Sequence, residues 1–553
     1  MATVTIRAYL SPTLVLLAMD WPEGRDHQDF LGFAIKRTPG FKRSAESWLP
    51  NRIGFNGPAP NGADLPSNTS PIQKFLWWDA RIDDVDRGKT FTYTITPVVG
   101  DPNNNKLLNQ AANSVKVTLP QQVENGIGTY FNRAVVSSQA FIKEFGERPA
   151  GDQMIRAMAW LANGLEKVVP EFLSASHEAH GAIYHLTDDN WIIPAFEKYQ
   201  GDASLVYDAR PVRDKGGTKP TPNQPAIDHL DGKVLFYPRD KTNIMHDKFL
   251  VRLHGGSPIA VLMGSANFTP EGLTSQANLL HTWKSPELAS LYWERRKLLE
   301  SNPSLSVTAK NSGWSQEIQA GDATVRVFFP PEPAKKRESI DEIVKAVNSA
   351  EKSVVFCLFT PTDAPLLDAI FKTGDKGKMM FGLVNNIGKN PEENASGRKP
   401  VDAKVEIYHR SHSNKDVVGH EFFKRGQQPH GFSWEASHLP GGGKFPVYIH
   451  HKFIVIDAET DNPIIYTGSA NMSNNAVHKN DENIMEIKGC PRVAAIYLAE
   501  FMRLYEHYRA RSAWNNYESG KNKTFKLAPD SSWGKKAYAK DTPEYKARLN
   551  MVG

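Results

Sequence analysis

Cysteine is nearly missing: Cys357 and Cys490 are the only two among 553 residues, too few to staple a chain of this length or to build a cysteine-rich metal centre. Long apolar runs are missing as well. No stretch reaches the roughly 18 uninterrupted apolar residues that a membrane-spanning helix needs, and no glycine triplet repeat points to a fibre. Charge of one sign is also scarce, since 66 Lys and Arg stand against 61 Asp and Glu, a net of +5. That excludes a chain that grips nucleic acid by net charge alone. With 40% hydrophobic, 10% aromatic and 23% charged residues, what is present is an ordinary soluble globular composition. The length accommodates about three to five packed units. The apolar stretch Ala8 to Met19 follows Arg7 in the manner of a secretion signal. Pro12 interrupts it, however, and Asp20-Trp21-Pro22 reads as a turn after a strand. The expectation is therefore a cytoplasmic chain, with export by a signal-independent route left open.

Residues 1–122 read as all-β. Val4 to Tyr9, Leu14 to Trp21, Phe30 to Arg37, Phe75 to Ala80, Thr90 to Val98 and Val115 to Leu119 are short aromatic and β-branched runs between Pro/Gly/Asn clusters. The pattern resembles a fibronectin type III-like or immunoglobulin-like sandwich. Beyond it, helix and strand alternate. Asp152 to Val169 has apolar residues at helical spacing and is expected to stop or kink at Pro170. A strand at Ala182 to Leu186, a helix near Asn190 to Glu197 and a strand at Ser204 to Tyr207 follow. The order then returns: a helix from a Ser339 cap to Ser349, strand Val354 to Phe359, helix Asp363 to Phe371, strand Met379 to Val384. Two such βαβ halves, 123–318 and 319–515, predict two mixed, mainly parallel sheets with flanking helices. Residues 516–553 form a basic, aromatic tail.

An internal repeat carries more information than propensity. His246, Lys248, Gly264, Ser265, Ala266 and Asn267 recur as His450, Lys452, Gly468, Ser469, Ala470 and Asn471, each shifted by 204 positions, and Asn278 and Glu482 obey the same shift. The halves are therefore a duplicated unit. In extended backbone, residues i and i+2 point to one face, so each His-x-Lys aims an imidazole and an ammonium at one spot. The glycine permits close backbone approach, and Ser and Asn can bond the oxygens of an anion. Paired about a pseudo-twofold, two such units surround a tetrahedral anion such as phosphate.

These motifs closely resemble the signature of the phospholipase D superfamily, HxKxxxxD followed by GSxN. The second copy, His450 to Asp457 with Gly468 to Asn471, fits in full. The first has Leu253 where the signature has Asp, as in tyrosyl-DNA phosphodiesterases. That Asp is mainly a structural hydrogen-bonding residue in the family, so its loss bears on local packing. The resemblance spans about 130–515 and implies a duplicated phospholipase D-like fold with an N-terminal all-β sandwich. It also implies a two-step displacement, in which one histidine attacks phosphorus while the other protonates the leaving oxygen, and water then releases the product. Lys248, Lys452, Asn267 and Asn471 hold the non-bridging oxygens, with Ser265 and Ser469 alongside as phosphate-binding residues. In relatives the histidine of one half bonds the orienting residue of the other, which pairs His246 with Glu482 and His450 with Asn278. A carboxylate makes its imidazole the stronger base and nucleophile, so His246 attacks and His450 is the general acid. Pairing within each half would exchange these roles.

No cofactor and no metal are expected. Seven of the 17 histidines lie between His409 and His451, but their spacings match no usual ligand pattern and no Asp/Glu cluster accompanies them. The expected substrate is nucleic acid, DNA or RNA, because the hairpin, the GSAN ending and Asn480-Asp481-Glu482-Asn483 look like bacterial nuclease-type members. The tail bears on the same point. From Glu500 to Gly553 there are eleven Lys/Arg against six Asp/Glu. Trp514, Tyr517, Phe525, Trp533, Tyr538 and Tyr545 either offer stacking faces to bases or dock the tail onto the body. A phospholipase D acting on membrane lipid is the alternative, and a non-catalytic scaffold the third reading. The 410–446 stretch is either a substrate loop or a surface insertion. The sandwich is a candidate site for a protein or glycan partner. One chain supplies both half-sites, so a monomer suffices.

Overall fold

The computed structural model describes residues 2–553 except 61–62, 135–140, 142–143, 147–148, 215–216, 387–403, 412–413, 421–447, 519–524 and 541. Most of the His- and Gly-rich 410–446 stretch, and the side chains of Trp514 and Tyr517, lie outside the described residues.

At the N-terminus two antiparallel sheets share a core. One joins Thr5–Ser11, Leu14–Asp20 and Leu76–Asp79, and the other is built on Thr90–Asp101 paired with Phe30–Thr38 and Asn113–Thr118. Val15, Leu17, Met19, Phe33, Ile35, Tyr93 and Ile95 alternate inward to fill the space between them, as half-buried strands do. Leu14–Asp20 is buried throughout, because helices from elsewhere in the chain cover its other side.

The rest of the chain is mixed α/β. An eight-stranded sheet runs in the order Val123–Glu124, Ile127–Phe131, Leu279–Trp283, Ser257–Gly264, Lys248–His254, Glu178–Ile183, Asp202–Asp208, Leu235–Arg239. A nine-stranded sheet follows Ile318–Ala320, Ala323–Phe328, Ile484–Lys488, Ile464–Gly468, Lys452–Ile456, Ser353–Phe359, Met379–Asn386, Lys404–Ser411, Asn414–His420. In each, the strand that begins at the motif lysine is central, flanked by the GSAN strand and the first strand of the βαβ unit. One buried cluster joins Phe249, Val261 and Leu279 of the first sheet to Val325, Phe453 and Ile465 of the second. Leu288 and Tyr292 of helix Pro286–Glu300 and Tyr497 and Phe501 of helix Pro491–Glu518 pack into it. Both helices begin with a proline, Pro286 and Pro491, whose fixed φ and missing N–H suit a first turn. Among the described residues no helix is long and apolar enough to cross a membrane.

The sheets are not mainly parallel as expected. Among the described residues, Glu178–Ile183 is parallel to Asp202–Asp208, which is parallel to Leu235–Arg239, and Ser353–Phe359 is parallel to Met379–Asn386; the other neighbours run antiparallel. Short turns decide this. Gly255 and Gly256, both at positive φ (56° and 76°), form the kind of tight turn that folds Lys248–His254 back on Ser257–Gly264, and only helical crossovers yield parallel pairs. Two helix boundaries also differ. The 152–169 helix breaks at Asn163 and Gly164 (φ 53° and 108°), and Pro170 lies inside the second piece, Leu165–Ser174. Ser339 is not a cap but the second residue of Glu338–Asn348. The Glu332 carboxylate caps that helix, accepting from the backbone N–H groups of Glu338 and Ser339.

The tail docks rather than projects. Trp533 stacks on Phe75 (centroids 5.1 Å apart, 27° between planes), and its Nε1 donates to Phe30 O. The Tyr538 hydroxyl donates to Trp21 O (2.7 Å), and Arg548 pairs with the buried Asp20. Ala537 joins the sandwich core. Trp533 and Tyr538 therefore offer no free stacking face, and 531–553 belongs physically with the N-terminal unit.

The substitution of Leu253 for Asp has a local account. Asp457 accepts from the backbone N–H groups of Glu351 (2.9 Å), Lys352 (2.7 Å) and Ser353 (2.9 Å), which hold the start of strand Ser353–Phe359. At the corresponding start in the first half, the Ser176 hydroxyl accepts from Glu178 N (3.2 Å) and donates to Leu253 O (2.5 Å), while the Leu253 side chain enters the core. A serine from the loop does part of what the aspartate does.

Asp457→Ala leaves three backbone donors short of an acceptor and is expected to destabilise by about 1–3 kcal/mol, read as a lower thermal midpoint. Trp533→Ala is expected to cost about 2 kcal/mol through lost stacking and burial. An unchanged midpoint for Trp533→Ala contradicts the docking of the tail.

Candidate active site

The site is assembled by backbone pairing between the two halves. Ile244 and Met245, just before the first motif, form a short parallel ladder with Asn480 and Asp481, and His246 N donates to Asp481 O (2.9 Å). At the mirror position, Ala277 N donates to Tyr448 O (2.6 Å) and His450 N to Ala277 O (3.0 Å). Each histidine is thereby set next to the orienting residue of the opposite half. His246 Nδ1 lies 2.8 Å from Glu482 Oε2, and His450 Nδ1 lies 2.9 Å from Asn278 Oδ1. The Asn278 amide is oriented by Nδ2 donating to Gly272 O (2.9 Å), so its oxygen faces the ring and His450 Nδ1 must carry the hydrogen. With each Nδ1 engaged, Nε2 is the nitrogen left for substrate. His246 and His450 each keep 6% exposure, whereas Asn278, Glu482 and Lys248 have none. The rings are thus the part of the set that solvent reaches.

Lys248 and Lys452 are drawn to the same place. Each Nζ donates to the carbonyl of its own motif histidine, at 2.5 Å for Lys248 and 2.6 Å for Lys452. Each ammonium also lies over an aromatic ring that the repeat did not reveal. Lys248 is 5.1 Å from the Tyr184 centroid and Lys452 is 5.2 Å from that of Phe359. The same two rings pack on His246 and His450, each at 5.0 Å. The middle residues of the motifs face the other way: Asp247 accepts from Asn483 Nδ2 (2.8 Å), and His451 packs between Phe131 and Phe453.

The serines play a different part from the one expected. Ser265 Oγ donates to Asn278 Oδ1 (2.9 Å) and accepts from Leu279 N; Ser469 Oγ donates to Glu482 Oε2 (2.7 Å) and accepts from Asn483 N. Their hydroxyls are committed to aiming Asn278 and Glu482, so they are supports rather than phosphate ligands. The preceding glycines allow this close fit: a Cβ on Gly264 or Gly468 would meet a carbonyl oxygen of the adjoining strand at 2.3 Å. Asn267 and Asn471, by contrast, each carry a buried Oδ1 with no hydrogen-bond partner among the described residues; that oxygen only accepts, so a bond to an anion's oxygen has to come from Nδ2.

Two further residues complete the duplication. Asp208 Oδ1 accepts from Met245 N (3.2 Å), and Asn385 Oδ1 accepts from Tyr448 N (2.9 Å) and Ile449 N (3.1 Å). Each clamps the backbone leading into its histidine. Tyr184 matches Phe359 at an offset of 175, and Asp208 matches Asn385 at 177, so a search at the fixed 204-residue shift passes over both pairs.

Burial governs the electrostatics. It pushes Lys248 down to about 7 and Lys452 well below the usual ammonium range. It also drives both imidazoles well below 6.5, assisted by the two lysine charges. Glu482 is pushed up to about 7 by the same desolvation. Each half's lysine lowers the other half's histidine, and His246 lowers His450, in keeping with the crossed contacts His246–Glu482 and His450–Asn278. A site that raises the cost of its own cations is one that an anion completes. Among the described residues no group of three or more His, Cys, Asp or Glu could hold a metal ion.

Residues 343–505 match the family model described as cardiolipin synthase, PLD-like domain. No curated protein matches the chain in sequence. Among solved structures, the chain is similar to a phosphatidylserine synthase from Haemophilus influenzae, at 13% identity over 63% of this chain and 85% of that one, with a TM-score of 0.42. It is similar to a polyphosphate kinase from Porphyromonas gingivalis at 10% identity over 62% of this chain, with a TM-score of 0.34, and spans 50% of that protein's length. It is also similar to the yeast tyrosyl-DNA phosphodiesterase, at 9% identity over 57% of this chain and 83% of that one, with a TM-score of 0.31.

Proposed function

We propose that the protein is a metal-independent phosphodiesterase with a duplicated phospholipase D-like core, cleaving nucleic-acid strands through a phosphohistidine. The observation that carries this reading is the crossed pair of contacts, His246 to Glu482 at 2.8 Å and His450 to Asn278 at 2.9 Å. They give two otherwise equivalent imidazoles unequal partners. His246 Nε2, backed by a carboxylate, attacks phosphorus with its lone pair. The bond to the leaving oxygen breaks, and His450 Nε2 delivers a proton to that oxygen. Asn278 is neutral, so it holds the His450 ring without stabilising its cation, and the proton is readily given up. Neutral His450 then takes a proton from water, the water oxygen bonds to phosphorus, and the phosphorus–nitrogen bond breaks to restore His246. Lys248 and Lys452, with Asn267 and Asn471, bear the charge on the non-bridging oxygens.

The nucleic-acid substrate rests on the likeness of Asn480-Asp481-Glu482-Asn483 to bacterial nuclease-type members. The units in this reading are a fibronectin type III-like module at 1–122, catalytic halves at 123–318 and 319–515, and a tail at 516–553. One chain suffices for one site.

His450→Ala is expected to attack but fail to release, so that labelled phosphate from a substrate with a good leaving group stays on His246; label recovered on His450 in the wild type instead reverses the roles. Glu482→Gln is expected to lower kcat about 10²-fold or more, measured on an oligonucleotide in excess chelator. Phosphatidylcholine run in parallel identifies a lipid substrate by choline release. The pH profile has a defined sign. Protonated Lys248 is the form that holds substrate, and its pKa is lowered to about 7, so kcat/KM falls as pH rises above neutrality. Unprotonated His246 is the attacking form and is held well below its ordinary value, but the Glu482 carboxylate behind it is pushed up to about 7, so kcat/KM also falls as pH drops below neutrality and Glu482 takes up a proton. A kcat/KM flat to about pH 9 contradicts this assignment of the lysine.

A further inference from the structure

The two walls of the pocket are not equal. The first wall carries Tyr184 with His185 stacked on it at 3.7 Å, and the second carries Phe359 followed by Thr360. The carboxyl ends of Glu178–Ile183 and Asp202–Asp208 lie side by side, with Ile183 opposite both Tyr207 and Lys248. Arg210 follows two residues after Asp208, and so leaves the sheet at the edge where Lys248 and His246 sit. Its Nε and one Nη donate to Asp208 at 2.9 and 3.3 Å, and Asp208 in turn accepts from Met245 N, the residue before His246. The guanidinium is thus fixed two hydrogen bonds from the attacking histidine. Its side chain remains 30% exposed, and no other hydrogen bond from it is found among the described residues. Of its five N–H donors, the remainder are open to a ligand. Its charge is felt by both His246 and His185.

A polyanion needs a cationic track, and Arg210 is placed to begin one. It opens the segment 210–219, whose sequence contains Arg210, Arg213, Lys215 and Lys219 against a single Asp214. The strands Val212–Asp214 and Gly217–Lys219 pair with each other, and Gly217–Lys219 is exposed. The foot of this segment is tied back to the site. Thr221 Oγ1 donates to Asp208 O (2.7 Å), and Asn223 Nδ2 donates to Tyr184 O (2.9 Å).

We propose that Arg210 binds a phosphate neighbouring the scissile one, so that the site admits a polyanionic strand along its first-half wall. This rests on the phosphodiesterase reading above and names the substrate feature that selects a strand over an isolated diester. A guanidinium matches two phosphate oxygens at once, which a single-phosphate substrate cannot exploit at a second position.

The test measures hydrolysis of bis(p-nitrophenyl) phosphate, a diester with no neighbouring phosphate, and its inhibition by a nuclease-resistant phosphorothioate oligodeoxynucleotide at several salt concentrations. Arg210→Gln is expected to raise the oligonucleotide Ki about tenfold, a larger effect than on reporter turnover. It is also expected to reduce the slope of log Ki against log salt by about 0.7, the value of one lost contact to a single strand. Arg210→Lys, which keeps the charge, is expected to retain most of the slope. An unchanged slope and Ki in Arg210→Gln overturns the proposal. So does a loss of reporter turnover as large as the loss of inhibition in both variants, since that marks Arg210 as merely supporting Asp208. A wild-type enzyme that is inhibited by the resistant strand but never cuts an ordinary one refutes the nuclease reading while leaving the assignment of Arg210 intact.

Discussion

The pocket depends on an exchange of backbone between its halves. Ile244 to His246 pair with Asn480 and Asp481, and Tyr448 to His450 pair with Ala277. Neither half can orient its histidine alone, because the partner for each Nδ1 arrives on the other half's strand. A buried ionic cluster reinforces one side of the exchange: Asp481 binds Arg239 at 2.8 Å and Arg295 at 3.3 Å, bringing a strand and a helix of the first half onto a segment of the second. Groups so deeply buried are tolerated because each is paired. Removing one partner would strand the other, which makes the interface unforgiving and therefore geometrically defined.

The same burial that fixes the geometry prepares the chemistry. Two ammonium groups, two imidazoles and a carboxylate withdrawn from water would be prohibitive if all were charged. Burial answers this by lowering both lysines and both imidazoles and raising Glu482, which favours the neutral form of each group. Ser265 and Ser469 are then best understood as part of a second layer. They lock Asn278 and Glu482, which in turn lock the histidine rings, so the reacting nitrogens are placed by a chain of short hydrogen bonds rather than by flexible side chains.

Much of this was legible in the sequence because the repeat is chemically loud. Seven polar and small positions at one constant shift announce a shared site, and the crossed pairing implied by the family resemblance is the pairing found. What escaped notice did so for physical reasons. Tyr184 and Phe359 are different residue types at a different offset, since the loops between the strands of the two halves differ in length. Asp208 and Asn385 act on backbone, which leaves no motif. The direction of the sheets is not legible in the sequence because β-hairpins and βαβ crossovers both present short apolar runs, and only their connections tell them apart. The aromatic residues of the tail are equally suited to stacking on bases or on Phe75, and composition alone does not separate the two.

The docking of 531–553 has a consequence for how the chain matures. Domains generally fold as they emerge during synthesis, the first ones first. Here the opening strands leave Phe30 and Phe75 without the Trp533 and Tyr538 rings that cover them, and Asp20 without the Arg548 guanidinium. This unit, made before residues 123–553, is thus sealed only when 531–553 arrive. It waits through the translation of roughly four hundred further residues, during which its apolar flank stays open to chaperones or to misplaced contacts.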